Sequence, residues 1–219
     1  MDMQPSPSSP LVPRFIVFEG VDGAGKTTLA RFLAAYFRQQ VPGLSLYAGS
    51  FPGALPHTLG EWVYRFHHRQ ITDAPSPDQI APPALQLLHV AAHIDAILTH
   101  IGPMLASGGY VILDRYWWST YGYSRQHLSP ELAWTLVYPE QQFLAALPSP
   151  VIIYVTRSTS LKPHEVDSEL HIKLDTYYRE IIAAEQQAGI IVHELSNDGP
   201  LEQTWAQLLN ILALPYHPL

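Results

Sequence analysis

A chain of 219 residues that is 47% hydrophobic is long enough for one α/β domain with a sizeable buried core. Only 14% of its residues are charged and the net charge is −7, so the whole-chain field does not favour nucleic acid or an anionic membrane. It contains no cysteine, which excludes disulfides and thiolate chemistry.

The opening stretch "MDMQPSPSSP" lacks a basic segment and an apolar core, so it does not read as a secretory signal. Residues 1–12 are expected to form a disordered Pro/Ser-rich tail, and 13–219 a single domain. No apolar run is expected to reach the roughly 18 residues of a membrane span. A cytoplasmic protein follows as the expectation.

"RFIVFE" (14–19) is a short run of branched and aromatic residues, the pattern of a buried strand. Lys26 to Gln40 reads as a helix with Leu29, Phe32, Leu33, Tyr36 and Phe37 on one face, stopped by Pro42-Gly43. "LSLYA" (44–48) is the next strand and 58–68 the next helix. Residues 75–83 hold four prolines and read as a loop. A long helix is expected from Ala84 to Met104, then a strand at 110–114, a helix over 130–146 and a strand over 151–155. A helix over 165–188, a strand over 190–195 and a helix over 200–212 complete the chain. Five apolar strands separated by helices imply a five-stranded parallel sheet covered on both faces.

Between the first strand and first helix stands "FEGVDGAGKTT" (18–28), in which Gly20 to Thr27 fits G-x-x-x-x-G-K-[ST]. Strand before and helix after are the context such a phosphate-binding loop requires. Gly20, Gly23 and Gly25 let the backbone N–H groups turn inward around an anion, and the helix start adds its positive dipole end. The nucleotide-binding set is therefore Gly20, Asp22, Gly23, Ala24, Gly25, Lys26, Thr27 and Thr28, with ATP and Mg²⁺ as the expected cofactors. Lys26 would reach the β- and γ-phosphates and Thr27 the metal. Asp114 ends an apolar strand, where a carboxylate on the Mg²⁺ side belongs. A switch-type GTPase is unsupported: the three lysines are Lys26, Lys162 and Lys173, and the last two follow Leu161 and Ile172, so no Asn-Lys-x-Asp motif exists.

"FEGVDGAGKTT" resembles the phosphate-binding loop of the thymidylate kinase family. "LLHVAAH" followed by "LASGGYVILDRYWWSTYGYS" is similar to that family's long helix, Asp-Arg-Tyr strand end and following segment. "TLGEWV" and "SNDGPLEQTWAQL" resemble its Gly-Glu helix start and its adenine-side loop and helix. The resemblance implies an α/β P-loop nucleoside-monophosphate-kinase fold with a mobile lid, and transfer of the ATP γ-phosphate to dTMP or a related pyrimidine monophosphate. It implies that Arg115 contacts the acceptor phosphate and that Asp22 holds the deoxyribose 3′-hydroxyl. A possible homodimer comes with it.

Departures from the family pattern fall on the acceptor side. Ser50-Phe51 stands where an arginine is usual, and His89 and His93 stand where a stacking Phe and a base-reading Arg are usual. Their i, i+4 spacing places both on one helix face, so both can meet a base. Ser124 replaces the usual Gln or Thr, and Phe51 and Tyr123 complete the acceptor-side set. The lid is short and poor in cations, with Arg157 and Lys162 the two candidates for the transition-state charge. An acidic residue that could deprotonate a nucleoside hydroxyl is missing from "GSFPG" (49–53), which favours a phosphate acceptor. His57, His67 and His68 lack ligand spacing and read as surface helix residues. Trp117, Trp118, Tyr121 and Tyr123 read as at least half core packing. Two other readings stay open: a kinase of this fold with another acceptor, such as a modified deoxyuridylate or a nucleoside, and a non-catalytic ATP-binding protein with a decayed lid.

Overall fold

A computed structural model describes residues 13–53, 55–161 and 168–219. Five parallel strands form one sheet: β1 (Phe15–Glu19), β2 (Leu46–Ser50), β3 (Tyr110–Asp114), β4 (Val151–Thr156) and β5 (Val192–Ser196). Their spatial order is β2-β3-β1-β4-β5. The three central strands are almost wholly buried, which is why they are continuous apolar runs without alternation.

Helices α1 (Lys26–Gln40) and α8 (Leu201–Ile211) cover one face, where Trp205 meets the ring edges of Phe32 and Tyr36. The other face carries α5 (Trp117–Ser124) and α7 (Ser168–Gln187), with Tyr178 of α7 packed between Tyr154 of β4 and Trp118 of α5. Outside this layer lie α2 (Leu59–His67), α3 (Pro82–Ala96) and α6 (Pro130–Leu144); α3 packs against α2, α5 and α6.

The expected element order is found, with corrections at five places. The second strand begins two residues later than read and the last runs 192–196, each displaced by an apolar residue in the preceding connection. The proline loop holds a short 3₁₀ turn at Pro77–Gln79, and its last two prolines open α3, since the first helical positions need no N–H partner. The single long helix is interrupted. A π turn at Ile97–Ile101 separates α3 from α4 (Gly102–Ala106), because Pro103 cannot donate and its ring displaces the preceding carbonyls. Finally, α5 had no periodic signature: it is apolar nearly all round because it is buried nearly all round.

The 25-residue stretch Pro82–Ala106 has a mean hydropathy of 1.3 in its most apolar window, enough in length and composition to cross a membrane. That corrects the expectation that no segment qualifies. In this fold the stretch packs against the other helices and carries His89 and His93 to the site described next. The proposed tail, 1–12, and the start of the helix expected at 165 lie outside the described residues.

Candidate active site

β1 delivers the chain to the carboxyl edge of the sheet, and Gly20 to Gly25 turn it into α1. Gly20 and Gly25 sit at φ +139° and +103°, and a Cβ there would lie 2.3 Å from the Val155 carbonyl oxygen and from Asn197 Nδ2 respectively. Both positions therefore demand glycine twice over, by conformation and by space. The Lys26 ammonium is 5% exposed and donates to the Val21 carbonyl at 2.8 Å. Burial, reinforced by the Arg115 charge, pushes its pKa down to about 8. Thr28 is exposed in the first turn of α1 and Ala24 is fully buried beneath the loop.

Asp114 ends β3 beside the loop. The Thr27 hydroxyl donates to its Oδ2 at 2.5 Å, while its Oδ1 is buried without a hydrogen-bond partner among the described residues. A buried carboxylate oxygen left unmatched next to a threonine hydroxyl is the donor set a hard divalent cation takes. Mg²⁺ fits Thr27 and Asp114 on that chemistry.

Two residues that sequence reasoning passed over hold this corner together. Glu19 is fully buried and accepts from the Tyr116 and Ser119 backbone N–H at 2.7 and 3.0 Å and from the Ser119 hydroxyl at 3.0 Å. Burial raises its pKa against the pull of Arg115 and Lys26. A charge at the end of an apolar strand was the available signal. Asn197, in the loop after β5, donates to the Ala24 carbonyl at 2.7 Å and clamps the loop from the far side.

Across the loop lies a cleft of about 690 Å³. All six predicted acceptor residues line it: Asp22, Phe51, His89, His93, Arg115 and Tyr123. Asp22 accepts from both the Arg115 guanidinium and the Tyr123 hydroxyl. Burial would raise the Asp22 pKa, but these two partners outweigh it and hold the carboxylate below its usual range. Arg115 also donates to the Ser119 hydroxyl at 3.0 Å. Its φ of +81° is a strained setting for a non-glycine residue, fixed by its N–H to the Phe18 carbonyl at 2.9 Å.

The histidines correct the sequence reading in part. His67 is not an ordinary surface residue: it lines the cleft from α2, and its Nε2 meets Nε2 of His89 on α3 at 2.6 Å. Burial and the neighbouring histidines push His89 down to about 3, so this contact joins two neutral imidazoles. His93 is 3% exposed, with Nδ1 on the carboxylate of the fully buried Glu140 of α6. The Phe51 ring lies flat against it, centroids 4.1 Å apart and planes 13° from parallel. Nothing local marks Glu140 in the sequence. Ser124 faces inward instead, its buried hydroxyl without a partner among the described residues, while Ser119 and Thr120 line the cleft. Trp117, Trp118 and Tyr121 are core, as expected for at least half of the aromatic cluster.

On the lid side, the Arg157 guanidinium is engaged by two backbone carbonyls, Thr159 at 2.9 Å and Asn197. Asp198 accepts from the Ser158 N–H and hydroxyl at 2.8 and 2.6 Å, and the Leu161 N–H donates to the Gly23 carbonyl at 2.9 Å. The segment after β4 is thus strapped onto the phosphate-binding loop. Lys162 lies outside the described residues.

A glycine-turned loop between a parallel strand and a helix, with Lys26 and Thr27 at the helix start and a carboxylate ending the neighbouring strand, defines a P-loop nucleotide site on a nucleoside-monophosphate-kinase fold. No family model matches the chain. It is 26% identical over 213 residues to the thymidylate kinase of Thermomicrobium roseum, covering 90% of this chain and 95% of that protein. To the thymidylate kinases of Pseudomonas putida and Chlorobium chlorochromatii it is 38% and 39% identical over 109 residues. At that identity the chain spans about half the length of the relatives it matches, 48% and 44%. The crystal structure of thymidylate kinase from Ehrlichia chaffeensis superposes with a TM-score of 0.69 at 21% identity, over 91% of this chain and 98% of that one. In sequence and in fold the chain is thymidylate-kinase-like.

Proposed function

We propose that residues 13–219 act as one ATP- and Mg²⁺-dependent nucleoside monophosphate kinase domain, transferring the γ-phosphate to dTMP or a related pyrimidine monophosphate. The observation that carries this reading is that the loop and the cleft share a residue. Asp22 belongs to the phosphate-binding loop, yet it is bonded to Arg115 and Tyr123 of the cleft, so a donor on one and an acceptor on the other would meet there.

Phosphoryl transfer asks for cations around the transferred group and in-line placement of the two oxygens. Lys26 and the loop N–H groups would hold the donor phosphates. Arg115, kept charged by Asp22, would hold the acceptor phosphate, which is already ionised and needs no general base. Mg²⁺, when bound, would be held by Thr27 and Asp114 and would neutralise charge on the β- and γ-phosphates. Arg157 and Lys162 remain the proposed transition-state cations, Arg157 by exchanging a carbonyl partner for phosphate oxygen. A homodimer and a cytoplasmic location belong to the same proposal.

A coupled assay of ADP release across the nucleoside monophosphates tests it. ADP should appear only with ATP, Mg²⁺ and a pyrimidine monophosphate together, and chelation should stop it. The engagement of Arg157 by two backbone carbonyls favours a second reading, a nucleotide-binding protein without turnover. ATP binding with no acceptor-dependent ADP release would decide for it.

A further inference from the structure

His67 on α2 and His89 on α3 are half-buried, and both line the cleft. Their Nε2 atoms are 2.6 Å apart while the ring centroids are 4.6 Å apart, so the rings meet through these nitrogens and not through their faces. At that distance only one of the two atoms can carry a hydrogen, and the contact is a single hydrogen bond between neutral rings. Burial above all, with neighbouring histidines adding to it, lowers the proton affinity of both.

Neutral imidazole is also the form that binds metal ions. The chain has no cysteine, so imidazoles are the strongest donors it can offer a borderline divalent ion. Exchanging the shared hydrogen for such an ion needs little movement. At a metal–nitrogen length of about 2.0 Å, two adjacent ligands of a square-planar ion stand about 2.8 Å apart, and two ligands of a tetrahedral ion about 3.3 Å apart. The observed 2.6 Å falls just short of the first. No third His, Cys, Asp or Glu completes a group with the pair among the described residues, so the remaining positions go to water from the cleft. A pair without oxygen ligands does not suit Mg²⁺, which Thr27 and Asp114 fit instead. Arg115, the cation that bears on His89, is matched by Asp22 and does not repel a dication unopposed.

We propose that His67 and His89 form a two-imidazole site for a borderline divalent transition ion, Cu²⁺ ahead of Zn²⁺, which pins α2 to α3 inside the cleft and opposes nucleotide binding there. The opposition to nucleotide rests on reading the cleft as the acceptor site; the metal site itself does not.

The test titrates the full chain with CuCl₂ and with ZnCl₂, first without nucleotide. Electron paramagnetic resonance at one equivalent of Cu²⁺ should show two nitrogen ligands, and calorimetry should find one Zn²⁺ per chain at this site. His89→Phe and His67→Gln should each weaken it roughly tenfold or more, since loss of a mere hydrogen-bond partner of a ligand already costs that much. His127→Gln, at an exposed histidine outside the cleft, should not. If one of the two cleft variants does not fold, the other decides. A two-nitrogen signal that survives in a folded cleft variant, or that is lost equally in His127→Gln, would overturn the site. Calorimetric titration with dTMP should then show binding several-fold weaker to the Zn²⁺-loaded protein than to the metal-free one. Equal dTMP binding by both forms would overturn the opposition. No dTMP binding by either form, with the metal site intact, would overturn the acceptor-cleft reading and the opposition with it, and leave the metal site standing.

Discussion

The phosphate-binding loop and the cleft proposed to take the acceptor are built in opposite ways. The loop is local: Gly20 to Thr28 are consecutive, their recognising groups are backbone N–H and two adjacent side chains, and a single strand-turn-helix sets them. The cleft is assembled at long range. Asp22, His67, His93, Arg115 and Glu140 come from five separate segments, and three of its contacts bridge 22, 47 and 93 positions. A local motif tolerates little change because each atom has one task. An assembled pocket can exchange its side chains and keep its shape, and here the exchanges are concentrated: histidines stand where the resemblance implies Phe and Arg.

The largest effect that would sharpen this contrast is on the loop. Lys26→Ala should lower turnover by about 10³ or more with the fold intact, as measured by ADP release and circular dichroism, since loss of one electrostatic group alone costs roughly 10²–10³. In the unsubstituted protein kcat/KM should also fall as pH rises through about 8, where the depressed Lys26 loses its proton. Full activity in Lys26→Ala would break the comparison at its firmer end.

Next comes the strap. If Arg157 leaves a carbonyl to meet the transferring phosphate, Arg157→Ala should lower kcat by roughly 10² with KM little changed. If it serves only to tie the segment after β4 to Asn197, the same variant should melt earlier while kcat holds. Paired kinetics and thermal denaturation separate the two.

Tyr123→Phe removes one of the three groups that hold Asp22 ionised, the others being Arg115 and Lys26. Acceptor KM should rise about 3- to 10-fold, in line with one lost hydrogen bond to a charged group, while ATP KM stays put. Equal changes in both would mean that loop and cleft are not separable units.

The smallest effect is on pH. Both His67 and His89 are depressed in the folded protein, so the unfolded chain binds protons first as pH drops. Their contribution is complete above the unfolded value of roughly 6.5 and is lost as pH falls from there toward about 3. His89→Phe should flatten the slope of urea-midpoint stability against pH in that window by up to one proton. An identical slope in both proteins would show that the α2–α3 histidine contact does not form in solution.

Much of this was readable in advance, for a physical reason that differs by element. Continuous apolar runs identified the central strands because a strand covered on both faces has no polar side to show. Gly20, Gly25, Lys26 and Thr27 were legible because the backbone geometry of an anion cradle allows few alternatives. Asp22, Arg115, Tyr123 and the two helix-borne histidines were named in advance, and all of them line the cleft.

What the sequence by itself determined was the periodicity and the local turn chemistry, hence the order of elements, the parallel sheet and the loop. Only the tertiary structure decided the partners. That His89 would meet a histidine of α2, that His93 would sit between Phe51 and a buried Glu140, and that Arg157 would be held by carbonyls follows from how α2, α3, α6 and the β5 loop close on one another. Helical spacing states which side chains share a face but not what that face meets, and a buried carboxylate such as Glu140 looks like any solvent-facing one until its imidazole arrives from 47 residues away.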